Sequence, residues 1–237
     1  MKFVKFVLTL TVVLAIGTTA LQAQSVGYSL EQLNLNSGAN QVVPYKFDYE
    51  ILQGHPYHHP AWLKGSFRTS SNMVFTEVPM KYDSYSGFLA IQLDQDSVFM
   101  KPAVVTEFQY AIDGRPYLFK NGFFDYDLGV KPEAYFLVLS DGAFTLLKDV
   151  KKVYTKADFD PVFNTGSRFD RLLETPRYLV KKPDGRFAAI LPNRRNVLAQ
   201  FGEHRGKVQE FVRSNRLDYG KDADLARIFD FASTMVN

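Results

Sequence analysis

The sequence predicts an α+β fold: a mainly antiparallel β-sheet domain followed by a small C-terminal three-helix segment. Three observations carry that expectation. From Val42 to Ile190 the apolar residues come in short runs bounded by Gly, Pro, Asp and Asn. Three Asp-Gly steps punctuate those runs, and beyond Pro192 the apolar spacing lengthens to that of a helix.

Taken in order, Trp62 to Arg68, Met73 to Tyr82 and Phe88 to Leu93 read as strands, the last two joined through Asp83-Ser84-Tyr85-Ser86-Gly87. Asp113-Gly114 separates Ala103 to Ile112 from Arg115 to Lys120. Asp141-Gly142 separates Ala134 to Leu139 from Ala143 to Lys148, and Asp184-Gly185 separates Arg177 to Lys182 from Arg186 to Ile190. Each pair predicts a hairpin, because a tight primed turn needs φ > 0, which Gly supplies without steric cost and Asp tolerates. With no helix between strands to carry a crossover, antiparallel pairing should dominate. Asn193 is the expected cap of a helix running to Phe201 and stopping at Gly202, and a second helix follows Gly206 and ends near Asn215. The third has Asp222 as its expected N-cap. Its Leu225, Ile228, Phe229, Ala232, Met235 and Val236 fall on one stripe, which must pack on the sheet or on the preceding helices.

Ahead of the sheet, Lys2 and Lys5 precede an uncharged run from Phe6 to Gly17, followed by small and polar residues. This is the layout of a secretory signal, too short to span a bilayer, with the cut expected after Ala23. The organisation expected is a signal peptide over 1–23, a polar leader over 24–41, the antiparallel β domain over 42–190 and the helical segment over 191–237, packed on it. Removing Lys2 and Lys5 from 28 basic residues leaves 26 against 25 acids, a net +1. That balance, with the cations scattered in pairs such as Lys151-Lys152 and Arg194-Arg195, argues against a nucleic-acid groove. The absence of cysteine removes disulfides, thiol nucleophiles and cysteine-based zinc sites, so the fold must be held by burial. All the aromatic residues except Phe3 and Phe6 lie beyond the signal and supply that burial. An outer-membrane barrel is not expected, because the strands are short, interrupted by Pro79, Pro102, Pro116 and Pro132, and followed by helices.

Candidate chemistry concentrates in Gly54-His55-Pro56-Tyr57-His58-His59-Pro60-Ala61-Trp62, with three of the four histidines and the single tryptophan. Imidazoles are good ligands for zinc, copper or nickel, so His55, His58 and His59 are the candidate metal ligands. The two prolines make the segment irregular, and adjacent histidines in an extended chain point to opposite sides. Tyr57 and Trp62, close to Tyr45, Phe47 and Tyr49, are the candidate ligand-binding residues, since exposed rings stack on sugars. The close pairs Asp94 and Asp96, Asp125 and Asp127, and Asp158 and Asp160 lack the glycine and distal glutamate of a calcium loop. Solvation of turns and strand ends is their expected role. G-x-S-x-G, S-x-x-K, H-E-x-x-H and Gly-x-Gly phosphate signatures are missing. A triad would have to be assembled from distant residues such as Ser140 or Ser167.

The order of features resembles a family of uncharacterised exported proteins of Bacteroidota. The likeness runs over about residues 54–237 and rests on Gly54, Pro56 and Tyr57, on Val78 to Tyr85, on Leu139 to Lys148, and on Phe211 to Leu217. The resemblance implies a secreted or periplasmic protein and assigns no catalytic residue. The histidines after Tyr57 depart from that pattern. The expected function is a non-catalytic binding or interaction module of the cell envelope, periplasmic or at the cell surface, with no cofactor. Its expected partner is another envelope protein or a glycan, with no nucleic acid and no transmembrane segment after signal cleavage. The alternatives are a hydrolase of envelope polymers, and a metal-handling protein built on the His55, His58 and His59 loop.

Overall fold

The computed structural model describes residues 27–28, 42–44, 53–93 and 96–236. The expected signal peptide, nearly all of the polar leader, Tyr45, Phe47, Tyr49 and Asp94 lie outside those residues. The fold is mainly antiparallel sheet with a C-terminal helical segment, as the sequence predicts.

Fourteen strands are described. They are β1 (Gly27–Tyr28), β2 (Val42–Pro44), β3 (Leu63–Thr69), β4 (Val74–Asp83), β5 (Phe88–Leu93), β6 (Asp96–Met100) and β7 (Val105–Ile112), then β8 (Arg115–Lys120), β9 (Phe136–Asp141), β10 (Thr145–Asp149), β11 (Lys152–Thr155), β12 (Arg171–Glu174), β13 (Arg177–Lys181) and β14 (Phe187–Ile190). The main sheet runs β14-β13-β10-β9-β8-β7-β3-β4-β5-β6-β2 with every neighbour antiparallel. β1 adds a short parallel pairing to Val74 and Phe75 of β4. β11 and β12 form a separate two-stranded sheet.

The sheet is strongly curved. Three strand spacings separate β4 from β8, about 14 Å on a flat sheet, yet the rings of Tyr82 and Phe119 lie 5.1 Å apart. Phe108 and Tyr135 join them at 4.8 to 5.7 Å. These rings meet across the concave side and form, with Phe67, Phe75, Met80, Leu89 and Ile91, the larger core. Edge-to-face and offset contacts of this kind add to the burial of so much aromatic surface.

β4 keeps its phase by a bulge. Gly65 faces Val78 and Phe67 faces Phe75, so two steps of β3 span three of β4. The extra residue lets Phe75 and Val78, three apart, both point inward, and Met80 and Tyr82 then alternate normally. The bulge places Glu77 at φ 57°, a left-handed conformation that side chains bearing a Cβ disfavour. Glu77→Gly is therefore expected to raise the free energy of unfolding by about 0.5–1 kcal/mol. The Lys64 contact it removes is exposed at both ends and 3.7 Å long, so it contributes little. An unchanged or lower urea midpoint would contradict strain at this position.

Of the three Asp-Gly steps, only Asp113-Gly114 is the two-residue primed turn that the sequence predicts, with φ of 49° and 76° and Ile112 opposite Arg115. At Asp184-Gly185 only glycine takes positive φ, in a longer loop closed by the Gly185 N–H on the Lys182 carbonyl. Gly142 has no positive φ and is needed for space: a Cβ there would lie 2.4 Å from Ser233 Oγ and 2.6 Å from Ser233 Cβ.

That close approach belongs to the helical face. The helices are α1 (Arg194–Leu198), α2 (Arg205–Ser214) and α3 (Asp222–Ser233), with a 3-10 turn over Gly202–His204. Asn193 caps α1, its Oδ1 accepting the Asn196 N–H at 3.0 Å. Lys221, not Asp222, occupies the N-cap position of α3. The Asp222 carboxylate instead accepts from Lys148 Nζ at 2.8 Å and Tyr178 O–H at 2.7 Å, pinning the helix start to β10 and β13. Leu225, Ile228, Phe229 and Ala232 pack with Leu146, Val180, Ile190, Val197, Phe201 and Val208 into a second core. The opposite face of the same strands buries Phe136, Leu147 and Leu179 with Val130, which accounts for the unbroken apolar runs there. Among the described residues no helix is long and apolar enough to cross a membrane.

Candidate functional site

The histidine-rich segment is bound into the scaffold. Pro56 O accepts from Ser84 N–H and Ser84 O–H, both at 3.0 Å, and the His58 N–H donates to Tyr82 O at 2.8 Å, so the segment runs along the end of β4. A buried lysine anchors it from the other side: Lys152 Nζ donates to the carbonyls of His55 and Tyr57, each at 2.7 Å, and lies 3.3 Å from His55 Nδ1. Burial lowers the pKa of this ammonium, with Glu174 and Asp83 acting in the opposite direction.

The three imidazoles go three ways. His58 turns inward among Tyr110, Tyr117 and Phe119, its ring 5.2 to 6.1 Å from theirs, with Nδ1 sharing a 2.9 Å hydrogen bond with the Tyr110 hydroxyl. His55 stacks beside Tyr57 next to Lys152, and His59 Nδ1 accepts the Ala61 N–H at 3.2 Å. Among the described residues no three His, Cys, Asp or Glu side chains converge to hold a metal ion. The arrangement disperses His55, His58 and His59 and sets an ammonium beside one of them.

Burial, and then the positive charge of Lys152, push the His58 pKa down from 6.5 to about 4. A histidine depressed on folding stabilises the fold most above its unfolded pKa, and that stability is lost as pH falls, because the unfolded chain then binds the extra proton. The 6.5-to-4 window corresponds to about 3 kcal/mol at most. Chemical denaturation at pH 7 and pH 4.5 should show this loss, and His58→Asn, with an acceptor near Nδ1 and no titration, should flatten it. An equal slope in both proteins would contradict the assignment.

Tyr57 and Trp62 are brought together, but through a third residue. Lys81 Nζ lies 4.9 Å from the Tyr57 ring centroid and 4.7 Å from that of Trp62. A sugar stacking on either ring from that side would have to displace the lysine, at the loss of two cation–π contacts. The most exposed rings stand elsewhere: Tyr126 at 85%, Phe163 at 74% and Phe124 at 64% exposure. Asp125, Asp158 and Asp160 serve turns, with Asp125 Oδ1 accepting from Leu128 N–H, Asp158 Oδ1 from Ser167 N–H, and Asp160 Oδ1 from Val162 and Phe163 N–H. Ser140 O–H donates to Asp230 at 2.6 Å and ties α3 to β9, and Ser167 O–H donates to Phe169 O at 2.8 Å.

The concavity with the make-up of a binding site lies across the curl of the sheet, and no sequence motif marks it. By register, β7 starts beside Thr69 and the start of β4, so the β4–β5 turn and the β8–β9 connection belong to opposite ends of the ladder and the curl of the sheet brings them together. Here the β4–β5 turn (Ser84 to Gly87), the β6–β7 connection (Lys101 to Ala103), the β8–β9 connection (Gly129 to Ala134), the exit of β10 and the entry of β13 enclose a groove of about 660 Å³. The buried rings of Tyr82, Tyr135 and Phe136 supply its apolar wall, with Phe88 beside them. Its rim carries Lys101, Lys131, Lys151 and Arg177 against Glu133 and Asp149.

Rim geometry separates these charges into two sets. Arg177 is oriented, one nitrogen donating to Leu128 O at 2.8 Å and another 3.4 Å from Asp149 Oδ2. The Asp149 carboxylate also takes the Lys151 N–H at 3.1 Å. Lys101, Lys131 and Lys151 form no ion pair with any described residue. The turn beneath them is preset by Asp83, whose Oδ1 accepts from Tyr85 and Ser86 N–H at 3.0 and 2.9 Å. Ser86 Oγ is buried in the wall without a hydrogen-bond partner among the described residues, a state polar atoms in folded proteins seldom keep. Comparison of the chain with protein-family models, with curated proteins and with solved structures gives no match.

Proposed function

We propose that this chain is an exported protein of the cell envelope, periplasmic or at the cell surface, that works as a non-catalytic binding module with its ligand seat in the groove. The observation that carries the reading is the groove itself: about 660 Å³, within the range of about 300–1,000 Å³ typical of small-molecule sites, with buried rings behind and few, placed polar groups around it. Export is supported by the charged, apolar and then small-residue order of residues 1–23. A binding role rather than catalysis is supported by what the reactive side chains do. His58 is neutral in a ring cage, His55 faces an ammonium, and Ser140 and Ser167 are committed to structural hydrogen bonds.

Two measurements on protein recovered from cells that express the full chain test the reading. Mass analysis of the envelope fraction should find a mature N-terminus at Gln24, and a neutral apolar dye such as N-phenyl-1-naphthylamine should bind saturably at one site per chain. Retention of Met1 in the cytosol would overturn export. Absence of saturable binding, or turnover of an ester, glycan or peptide that is lost on changing one polar residue, would overturn the binding role.

A further inference from the structure

We infer that the groove selects an amphiphile with a single anionic head, a carboxylate or phosphate monoester at the end of an apolar chain. This inference rests on the groove being the ligand seat and adds the chemistry of what fills it. The wall contributed by Tyr82, Tyr135 and Phe136 is apolar and buried, and gains only from covering hydrocarbon. The rim above it holds four cations and two acids, of which only Arg177 and Asp149 pair with each other. Lys101, Lys131 and Lys151 thus face one opening with Glu133 as the remaining acid, and an anion between them relieves their mutual repulsion.

Arg177 fits the same role. Two of its nitrogens are held by Leu128 O and Asp149, which fixes the guanidinium plane while leaving part of its five-donor fork unused. A preoriented fork is the geometry that grips carboxylate or phosphate oxygens. The unpartnered Ser86 hydroxyl provides a neutral donor in the wall. An uncharged amphiphile would satisfy the wall alone, and a cationic one would meet the lysines.

The test is calorimetric titration of the exported protein with dodecanoate, dodecyl phosphate, dodecanol and dodecyltrimethylammonium, the ionic ones below their micellar concentrations and the alcohol below its solubility limit. The two anions should bind at least about tenfold more tightly than the alcohol, the cation should not bind, and rising salt should weaken the anions only. Comparing carboxylate with phosphate identifies which head the rim prefers. The Lys131→Ala, Lys151→Ala double variant, both positions exposed, should lose about tenfold or more for the anions and leave the alcohol unchanged. Equal affinity for alcohol and anions, or an unaltered anion affinity in the variant, overturns the charge selectivity while leaving the groove a ligand seat. No binding by any of the four overturns both.

Discussion

Gly65→Ala should cost about 3 kcal/mol or more of unfolding free energy, among the largest effects of any single methyl group in this chain. A Cβ at position 65 would stand 2.2 Å from the carbonyl oxygen of Gln109, 3.0 Å from Met80 Sδ and 3.1 Å from Tyr110 Cβ. The methionine can move aside. The carbonyl belongs to the backbone of β7, paired with β3 at the centre of the sheet, and cannot shift without opening that ladder. Strand propensity alone gives the opposite sign, since alanine suits a strand better than glycine. A thermal midpoint lower by about 6–12 °C is the expected readout for a chain of this size. A midpoint equal to or above that of the parent would contradict the close approach of β3 and β7.

Lys152→Met should be nearly as damaging, for an electrostatic reason. Methionine keeps the buried stem but removes the donor that satisfies the His55 and Tyr57 carbonyls. Leaving buried acceptors unpaired costs about 1–3 kcal/mol each, so a loss of about 2–4 kcal/mol is expected. It should be localised, with amide exchange faster across Gly54 to Trp62 and little changed in β9, β10 and α3. The same change removes a positive charge that helps hold the His58 pKa down, so the His58 midpoint should move upward. Unaltered exchange across Gly54 to Trp62 would contradict the anchoring role of Lys152.

How much of this was legible in the sequence follows from where each signal originates. Strands β5 and β8 can be read to their ends because a short apolar run and its flanking turn residues are local properties. β11 and β12 are not legible because their ladder spans four residues with, among the described residues, only an isolated bridge from Gln53 to Arg171 beside it, and three of their side chains are exposed tyrosine, valine and leucine without clean alternation. Asp222 has the residue type and position of a cap, but β10 and β13 offer it Lys148 and Tyr178, a tertiary contact no local rule contains. His58 looked like a ligand because the cage around it comes from residues 110–119, more than fifty positions away.

The groove is the extreme case. Its lysines sit singly in separate connections, so no motif joins them, and they share a rim only because the sheet curls. That curl, visible in the 5.1 Å contact of Tyr82 with Phe119, is a tertiary property that no local pattern contains.

Amide and methyl chemical-shift mapping during titration with dodecanoate separates the two candidate seats directly. Shifts centred on Ser86, Lys101, Lys131, Tyr135 and Arg177, with His59 and Trp62 unmoved, are the result expected of a ligand seated in the groove. Shifts centred on His55, His59 and Trp62, with Lys101 and Lys131 silent, would contradict it and return the binding role to the histidine segment.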